Sequence, residues 1–408
     1  MELVNNQYEI QGIKLIDLFS KYETPLYVYD GNKILEQYHK LANSLKVKNY
    51  AINYACKANS NLSILKLLCN AGAGLDAVSI QEILIGLHVG FSPDKIVYTP
   101  NGVSIPEIEE AMKLGVKINL DNIEMLEYFG HHYPNYAFGI RINPHILAGG
   151  NFNISVGHID SKFGISIHQM PLVERIVKAL KMNINGIHMH TGSDILDVNV
   201  FLIAADILFD TAKKFPTIKY VDFGSGFKVK YKSEDIETDI EEFGNMISEK
   251  FKVFCEEMQQ DYTLMFEPGK YLVSESGFFF VKTNVIKQTT STVFAGIDSG
   301  FNHLIRPMFY NAHHDIFNVS NPGGKPKIYS VVGYICETDT FGWNRVIEEL
   351  SINNIIGFKN AGAYCFSMSS NYNSRPKPAE IMILNGKEYL IRDREVFEDL
   401  LQKQHICI

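Results

Sequence analysis

A lysine that directly follows an apolar run is the first group in this sequence with a clear chemical use. Lys57 comes after the run NYAC, at the point where an apolar strand would end. A lysine amine that is desolvated or close to other cations loses basicity and attacks carbonyl carbons. The simpler interpretation is a solvated charge, because lysine is almost never buried without a partner. Lys57 is therefore a candidate catalytic amine whose role depends on its neighbours.

Two turns of small residues also follow apolar runs, and both suit an anion. VDFGSGF contains Gly224, Ser225 and Gly226, and the turn GSD at 192–194 contains Ser193. Glycines allow backbone N–H groups to approach an anion closely, and a following helix N-terminus favours negative charge. Taken alone, the pattern is equally compatible with an ordinary left-handed turn.

Glu267 and His190 stand at two further strand ends. A carboxylate such as Glu267, in the segment FEPGK with Gly269, would keep a pyridine nitrogen protonated and strengthen the ring as an electron sink. A helix-cap or salt-bridge glutamate is the alternative. His188 and His190 share one strand face, but no third ligand stands at a recognisable spacing, so we predict no metal site. We expect the His190 imidazole to stack on a flat ring rather than to bind a metal.

These residues can act together only in a fold that brings several strand ends close to each other. The sequence has the alternating pattern of strands and helices that such a fold requires. Short apolar runs alternate with stretches in which apolar residues recur every three or four positions, as in strands and helices. Eight parallel strands alternating with helices close into a barrel whose catalytic groups lie at the C-terminal strand ends, Asp76 among them. We therefore predict an α/β fold with a (β/α)8 TIM-type barrel over residues 31–271. The predicted strands are 51–55, 74–78, 95–99, 116–120, 137–143, 184–190, 219–224 and 263–269.

The pattern changes at residue 272. Short apolar runs separated by turn residues, such as GFFFVKTNVIKQ and KIYSVVGYI, predict antiparallel strands. We predict a C-terminal antiparallel β domain, a barrel or sandwich, formed by residues 272–408. The strand-like segment TPLYVYD places residues 1–30 in the same domain. We expect this domain to contribute to the active site and to a dimer interface.

Composition excludes several classes of protein. The 408 residues carry 38 basic and 46 acidic side chains, and no Lys/Arg run predicts nucleic-acid binding. No apolar run reaches the ~18 residues of a membrane span. The six cysteines are dispersed, which argues against a disulfide framework or a zinc cluster. Since MELVNNQYEI lacks the features of a secretory signal, we expect a cytoplasmic protein that binds no nucleic acid and no membrane.

An imine-forming lysine, a phosphate cradle and a partner for a ring nitrogen are together what pyridoxal phosphate needs. At these segments the chain resembles the alanine-racemase-like, fold-type III pyridoxal-phosphate enzymes. YACKAN resembles the segment with the Schiff-base lysine, which gives Lys57 that role, and GLDAVSIQE with Asp76 resembles the next strand and helix. GIHMHTGSD implies that His190 stacks on the cofactor ring and that Ser193 contacts the phosphate. VDFGSGF resembles the phosphate loop, and FEPGK implies that Glu267 meets the pyridine nitrogen.

The C-terminal blocks extend the resemblance over nearly the whole chain. HLIRPMFYNAHHDI implies that Arg306 and Tyr310 hold a substrate carboxylate. YICETDTF resembles a block that supplies a cysteine and an acid from the partner subunit, here Cys336 and Glu337. KNAGAYCFSMSSNYNSRPKPAEI resembles the closing block, with Tyr364 near the cofactor and substrate. The resemblance thus implies a homodimer with shared active sites.

The activity implied is decarboxylation of an amino acid, with meso-2,6-diaminopimelate as substrate and L-lysine as product. Arg306 and Tyr310 would take the distal carboxylate and Glu337 the distal ammonium. Cys336, a partly buried thiol able to exchange a proton near neutral pH, is the candidate proton donor. Lys57 is the competing donor, and an inert buried cysteine is the simpler interpretation of Cys336.

Other activities stay open at this point. One is decarboxylation of another basic amino acid or polyamine precursor, such as carboxynorspermidine, ornithine or arginine. An amino-acid racemase and a non-catalytic cofactor carrier are the others. The block around Cys336 and the closing block favour decarboxylation over racemisation, and the full β domain argues against a carrier.

Four departures from the family pattern bear on the substrate. Ser225 replaces a usual glycine, and His303 stands where an aspartate is common. CETDTF replaces the commoner CESGD-type block. Lys270 stands where many members have a substrate-binding arginine. Lysine is a point charge and does not reproduce the bidentate grip of arginine on a carboxylate.

Overall fold

The computed structural model describes residues 1–146 and 161–408. These residues form two compact units. The first comprises Met1–Leu35, Lys230–Asp235 and Val273–Ile408, and the second comprises Glu36–Val229 and Ile236–Leu272. The chain begins with β1 (Glu2–Val4), β2 (Gln7–Ile10), β3 (Ile13–Lys14), α1 (Leu15–Tyr22), β4 (Leu26–Asp30) and α2 (Gly31–Ser44).

The second unit is built on eight parallel strands that close into a ring, and each predicted barrel strand is confirmed. The ring strands are β5 (Tyr50–Ala55), β6 (Gly74–Ala77), β7 (Ile96–Tyr98), β8 (Lys117–Leu120), β9 (Ala137–Asn143), β11 (Asn183–Met189), β12 (Tyr220–Asp222) and β13 (Thr263–Phe266). The short β10 (Ile165–Ser166) pairs with β9 beside the ring. Pairing of β8 with β9 on one side and of β13 with β5 on the other completes the closure.

Helices connect these strands, and local sequence sets where they begin and end. They are α3 (Leu62–Ala71), α4 (Ile80–Val89), α5 (Ile105–Leu114), α6 (Ile123–His132), α7 (Met170–Leu180), α8 (Val198–Ala212), α9 (Ile240–Met258) and α10 (Lys270–Val273). The side chains of Ser79 and Asp239 accept backbone N–H groups at the starts of α4 and α9. Such caps satisfy amide groups that the first helical turn leaves unpaired. Gly72 and Gly90 end α3 and α4 in the left-handed conformation that glycine adopts most easily.

The barrel interior is filled by side chains, and Gly186 leaves room for one of them. The Tyr220 hydroxyl donates to Oδ1 of Asn119 at 3.0 Å, and Asn119 Nδ2 donates to Thr99 at 2.9 Å. The Tyr220 ring fills the space beside Gly186, where an added Cβ would lie 2.0 Å from the ring. The interior is therefore a packed core that supports the C-terminal rim, as in other barrels of this class.

The remaining elements belong to the first unit. They are β14 (Gly277–Gln288), β15 (Val293–Ile297), α11 (Arg306–Tyr310), β16 (Ile316–Asn318), β17 (Pro326–Val332), β18 (Thr340–Glu348), β19 (Ile355–Phe358), β20 (Ala379–Leu384), β21 (Lys387–Arg392) and α12 (Phe397–Leu401). Strands β18, β17, β15, β14, β4, β20 and β21 form a sheet in that order, and β19 joins β14 to β16. The N-terminal β4 lies inside this sheet, between β14 and β20.

The sheet of the first unit is mixed, whereas the sequence pattern predicts antiparallel strands. Most of its pairings are antiparallel, but β4 pairs with β20 and β15 with β17 in parallel. Long connections allow this, because parallel neighbours need a crossover rather than a tight turn. One face of the sheet buries a core that includes Leu26, Val28, Phe280 and Ile381.

A search of the described residues for a helix with the length and apolar character of a membrane span found none.

Replacing Gly186 with alanine should destabilise the barrel, because the new methyl group would overlap the Tyr220 ring. Overpacking of this kind costs about 1–3 kcal/mol. Equilibrium denaturation measures the loss. Gly323→Ala is the control, since its added Cβ would meet only the flexible Asn6 side chain, at 3.2 Å. Equal stability of the two variants would contradict the packing described here.

Candidate active site

Lys57 and Asp76 form an ion pair at the C-terminal rim of the barrel. Lys57 lies in a short turn, Cys56–Ala58, directly after β5. Its Nζ lies 3.0 Å from Oδ2 of Asp76, which is near the end of the adjacent β6. The Asp76 side chain is 2% exposed and that of Lys57 is 44% exposed. Burial and the nearby Glu267 raise the pKa of Asp76, while Lys57 opposes this shift. The acid therefore holds the amine at a defined place on the rim.

Glu267 follows β13 directly and is buried. Its Oε2 lies 2.9 Å from Nε2 of His188, a residue of β11 that is also buried. The other oxygen, Oε1, has no hydrogen-bond partner among the described residues. Burial alone would raise the pKa of Glu267, but the charge and hydrogen bond of His188, with Lys57 and His190, lower it. Glu267 is thus a carboxylate with one oxygen still available to a further donor.

His190 lies just beyond β11 as a neutral imidazole. Burial, followed by the positive charges of Arg141 and Lys57, lowers its pKa to about 3. Its Nδ1 accepts the backbone N–H of Ser225 at 3.2 Å, which places the ring proton on Nε2. A neutral planar ring fixed in this way is suited to stacking on a flat ligand.

The glycine turn after β12 has the conformation that glycines permit. Gly224 and Gly226 have φ angles of +61° and +141°. A Cβ at Gly224 would lie 2.8 Å from Nδ1 of His190, and one at Gly226 would lie 2.7 Å from the carbonyl oxygen of Gly192. The turn at 192–194 therefore touches the turn at 224–226, as expected if both face one anion.

The neighbouring Lys270 is already paired with an acid. Its Nζ forms an ion pair with Oδ1 of Asp194, and the Lys270 side chain is only 11% exposed. Oδ2 of Asp194 accepts from the Ser193 hydroxyl at 3.4 Å. Gly269 precedes Lys270 and its carbonyl accepts the N–H of Leu272, which starts the turn of α10. Asp194 thus links Ser193 to Lys270, a connection that the sequence analysis did not predict.

Of the predicted substrate residues, Lys270 belongs to the second unit, and the others, Arg306 and Tyr310 among them, belong to the first. Arg306 begins α11 and is 9% exposed. Its Nη2 lies 3.2 Å from the hydroxyl of Tyr231, and its guanidinium carbon lies 5.3 Å from the centre of that ring. The ring of Tyr310 lies 5.9 Å from the same carbon. Arg306 and Tyr310 are therefore neighbours, as predicted, and Tyr231 is a contact that the sequence analysis missed.

Cys336 and Glu337 lie in the turn between β17 and β18, and both are exposed in the single chain. The expectation that Cys336 is partly buried is therefore wrong for the isolated subunit. Asn373 Nδ2 lies 3.4 Å from the Cys336 Sγ, and the Tyr372 hydroxyl donates to Glu337 at 3.1 Å. The turn is held by the buried Asp339, whose carboxylate accepts the N–H groups of Phe301 and Ile335.

Tyr364 and His303 are fixed by the same unit. Tyr364 has a φ of +57°, which is unusual for a bulky residue and marks a constrained backbone. His303 is buried and its Nδ1 lies 3.0 Å from the Ser299 hydroxyl. Burial lowers the pKa of His303 to about 4, so it is neutral at physiological pH.

One group of buried side chains has the composition of a metal site. His188, Asp222 and Glu267 each offer a ligand atom within 4.8 Å of the others. However, the nitrogen of His188 and one oxygen of Glu267 already bond to each other, and one Asp222 oxygen accepts the N–H of Gly224 at 2.9 Å. We assign no metal to this group.

Asp222 was not predicted as a site residue from the sequence. The signal that could have identified it is an acid inside the run VDFG.

Comparison with known proteins identifies the class of this site. The family model described as pyridoxal-dependent decarboxylase, pyridoxal binding domain, matches residues 31–274. The diaminopimelate decarboxylase of Methanothermobacter thermautotrophicus is 38% identical, over 97% of this chain and 95% of the relative. That of Vibrio cholerae is 33% identical, over 97% and 96%.

Solved structures give the same result. Diaminopimelate decarboxylase from Helicobacter pylori complexed with L-lysine matches with a TM-score of 0.86 and 32% identity, over 95% of this chain and 98% of that chain. The enzyme from M. jannaschii in co-complex with L-lysine matches with a TM-score of 0.90 and 28% identity, over 99% and 97%. Lysine/ornithine decarboxylase from Vibrio vulnificus, at 19% identity and a TM-score of 0.78, shares the fold.

The residues of the barrel unit fit pyridoxal phosphate. The cofactor presents a carbonyl carbon, a phosphate dianion and a pyridine nitrogen. Lys57 supplies an amine, and the Gly224–Gly226 turn, which has no room for a Cβ at either glycine, packs against the turn that carries the Ser193 hydroxyl. Oε1 of Glu267 is a buried acceptor that no described residue engages. Each of the three requirements is therefore met by a separate strand end.

Gly224→Ala should weaken retention of pyridoxal phosphate by at least about tenfold, because the methyl group would displace His190 and the turn. Dialysis followed by measurement of bound cofactor gives the comparison. Gly102→Ala is the matched control, since Gly102 has a similar φ of +66° but no atom within 4 Å of an added Cβ. If Gly224→Ala and Gly102→Ala lost the same amount of cofactor, the loss would come from backbone strain. That result would contradict a role for the close approach of Gly224 to His190.

Proposed function

The chain belongs to the pyridoxal-dependent decarboxylase family, and from that premise we propose that it releases CO2 from meso-2,6-diaminopimelate to give L-lysine. The relatives named diaminopimelate decarboxylase match over nearly the full length of both chains. Two of the structures that share the fold are diaminopimelate decarboxylases with L-lysine bound, the expected product. The observation that carries the proposal is the group of Lys57, Glu267 and the Gly224–Gly226 turn on one barrel rim.

Pyridoxal phosphate, when bound, supplies a conjugated ring that accepts the electron pair left on the α-carbon as CO2 departs. The chain provides the groups that hold it. The turn at Gly224–Gly226 and Ser193 would hold the phosphate, and His190 would lie against the ring. Glu267 would keep the ring nitrogen protonated, because its carboxylate stays ionised beside His188. Lys57 would hold the cofactor at its carbonyl carbon.

Positioning of the substrate is assigned to the first unit. We propose that Arg306, with Tyr310 and Tyr364, holds the distal carboxylate and that Glu337 holds the distal ammonium. Guanidinium groups bind carboxylates through two parallel hydrogen bonds, which fixes orientation as well as affinity. Tyr231 limits the movement of the Arg306 guanidinium through its hydroxyl contact at 3.2 Å. Lys270, which is paired with Asp194, would add a positive charge to the barrel part of the site rather than a second bidentate grip.

Proton return to the α-carbon is assigned to Cys336, with Lys57 as the competing donor. A thiol is suited to this role because it exchanges a proton near neutral pH. Since Cys336 is exposed in the single chain, it would act at the site of a partner subunit. A thiol in this role must stay reduced, which supports a cytoplasmic location.

We also propose a homodimer with shared active sites. Ile328 and Val346 face each other across β17 and β18 and are 59% and 67% exposed, and the nearby Trp343 is 56% exposed. Contiguous exposed apolar side chains of this kind are typical of surfaces that another subunit covers. These strands flank the turn that carries Cys336 and Glu337.

The substrate proposal is tested by measuring CO2 released from meso-diaminopimelate, L-lysine and L-ornithine. We expect release from meso-diaminopimelate alone. Lys57→Ala should lower the rate by at least about a thousandfold, because the amine that binds the cofactor is lost. Lys48→Ala is the control, since Lys48 is 73% exposed on the same unit and pairs only with Asp261 among the described residues. Release from ornithine or lysine at a comparable rate would overturn the substrate assignment.

The shared site is tested by mixing two inactive variants, Lys57→Ala and Cys336→Ala. If each site takes Lys57 from one subunit and Cys336 from the other, half of the dimers after exchange contain one intact site. Activity should then recover to about one quarter of the wild-type value. Two different affinity tags on the variants confirm that exchange took place. Exchange without recovery would show that each subunit supplies both residues to its own site.

A further inference from the structure

Two other buried titratable side chains lie beside Glu267. His188 is bonded to it, whereas Asp222 has no role in the function proposed above. His188 of β11 and Asp222 of β12 are directly paired in the parallel ladder. Their exposed fractions are 1% and 0%, and that of Glu267 is 8%. One nitrogen or oxygen atom from each residue lies within 4.8 Å of the others. The three side chains therefore form a single electrostatic unit, which we call the His188–Asp222–Glu267 cluster.

Hydrogen bonding in the cluster is unequal. Glu267 Oε2 is bonded to His188 Nε2 at 2.9 Å, whereas Asp222 Oδ1 accepts the backbone N–H of Gly224 at 2.9 Å. No other described residue donates a hydrogen bond to Oε1 of Glu267 or to Oδ2 of Asp222, and the two carboxyl groups are close enough for a proton on one to be hydrogen-bonded to the other. Two carboxylates so close together in a medium of low polarity do not both ionise, and one retains a proton.

The surroundings decide which of the two carries the proton. Glu267 has the hydrogen bond from His188 and the nearby charge of Lys57, both of which favour its ionised form. Asp222 is fully buried, and the burial, together with the charge of Glu267, raises its pKa well above the ordinary value. The other titratable groups around Asp222 are Asp76, Lys117 and Tyr220. Asp76 disfavours ionisation of Asp222 further, and Lys117 is itself largely desolvated.

Asp222 also connects the two parts of the predicted cofactor site. Its carboxyl holds the N–H of Gly224, the first residue of the glycine turn. The carbonyl of the same Gly224 accepts the backbone N–H of Glu267 at 2.6 Å. The glycine turn is therefore tied both to Asp222 and to the residue that would meet the ring nitrogen.

We propose that Asp222 is a positioning residue, a neutral carboxylic acid that leaves the negative charge on Glu267 and fixes Gly224 in the turn that would hold the phosphate. This inference rests on the proposed function for one point, the identity of the cofactor. Glu267 would meet the ring nitrogen of that cofactor, and the turn that begins at Gly224 would hold its phosphate. Asp222 is 0% exposed and would therefore touch neither the substrate nor the cofactor. It acts through Glu267 and Gly224.

The protonation of Asp222 is tested by the stability of Asp222→Asn between pH 4 and pH 8. An acid that keeps its proton in the folded state but ionises in the unfolded state makes the wild type less stable as pH rises. Asparagine has no such proton, so the unfolding constant of the wild type should rise relative to that of Asp222→Asn by up to about tenfold per pH unit above pH 4. The Asn variant therefore becomes the more stable protein toward pH 8.

An ionised Asp222 gives the opposite result. The Asn variant would then be the less stable protein at neutral pH, and the difference would fade as the solution is acidified. That outcome would overturn the proposal, and so would a stoichiometric metal ion in the purified protein that is lost with Asp222→Asn. Both measurements use the full-length protein and require no substrate.

The positioning role is tested by retention of pyridoxal phosphate. Asp222→Ala removes the acceptor for the Gly224 N–H and should weaken retention by about tenfold or more. Asp222→Asn keeps a neutral group with an acceptor oxygen and should restore most of that loss. Equal retention by the wild type and Asp222→Ala would overturn the role. If the protein releases no CO2 from meso-diaminopimelate but shows both results, the proposed function fails and the assignment of Asp222 stands.

Discussion

The parallel register of the barrel strands determines where each barrel residue of the candidate site lies. In a closed parallel ring all C-terminal strand ends meet at one rim. Lys57 and Glu267 are far apart in sequence, yet β13 pairs directly with β5 and brings the two strand ends side by side. On either side, β6 contributes Asp76 and β11 and β12 contribute the histidines and the glycine turn. Five successive strands of the ring therefore carry the whole barrel part of the site.

The strand ends bring several charged side chains together in a region with little water. The side chains are arranged so that each charge is balanced by a neighbour. Asp76 is paired with Lys57, and Glu267 with His188. His190 is neutral, because burial and nearby cations both disfavour its proton. An uncompensated buried charge costs several kcal/mol, so each ionised group at the rim needs a partner or must change its protonation state. The same requirement is what assigns a proton to Asp222.

Local patterns predicted the barrel strands and most residues of the rim, because strand ends are visible as apolar runs followed by a polar residue. Contacts between distant segments could not be predicted in this way. The parallel pairing of β4 with β20 depends on a strand that precedes the barrel in sequence. The contacts of Tyr231 with Arg306 and of Asp194 with Lys270 join residues separated by about 75 positions. The exposure of Cys336 could not be predicted either, because it depends on where the turn between β17 and β18 lies in the fold.

The departures from the family pattern are each accommodated by local geometry. Ser225 stands in place of a glycine, but only its neighbours Gly224 and Gly226 have positive φ angles, so the middle position of the turn does not require glycine. His303 is neutral and bonded to Ser299, so it needs no counter-charge within its buried setting. In the CETDTF block, Asp339 binds two backbone N–H groups and thereby shapes the turn that presents Cys336 and Glu337. Lys270 differs from the others, because its charge is already balanced by Asp194. In the proposed function the grip on a substrate carboxylate is therefore given to Arg306, whose planar guanidinium is in contact with the Tyr231 hydroxyl at 3.2 Å.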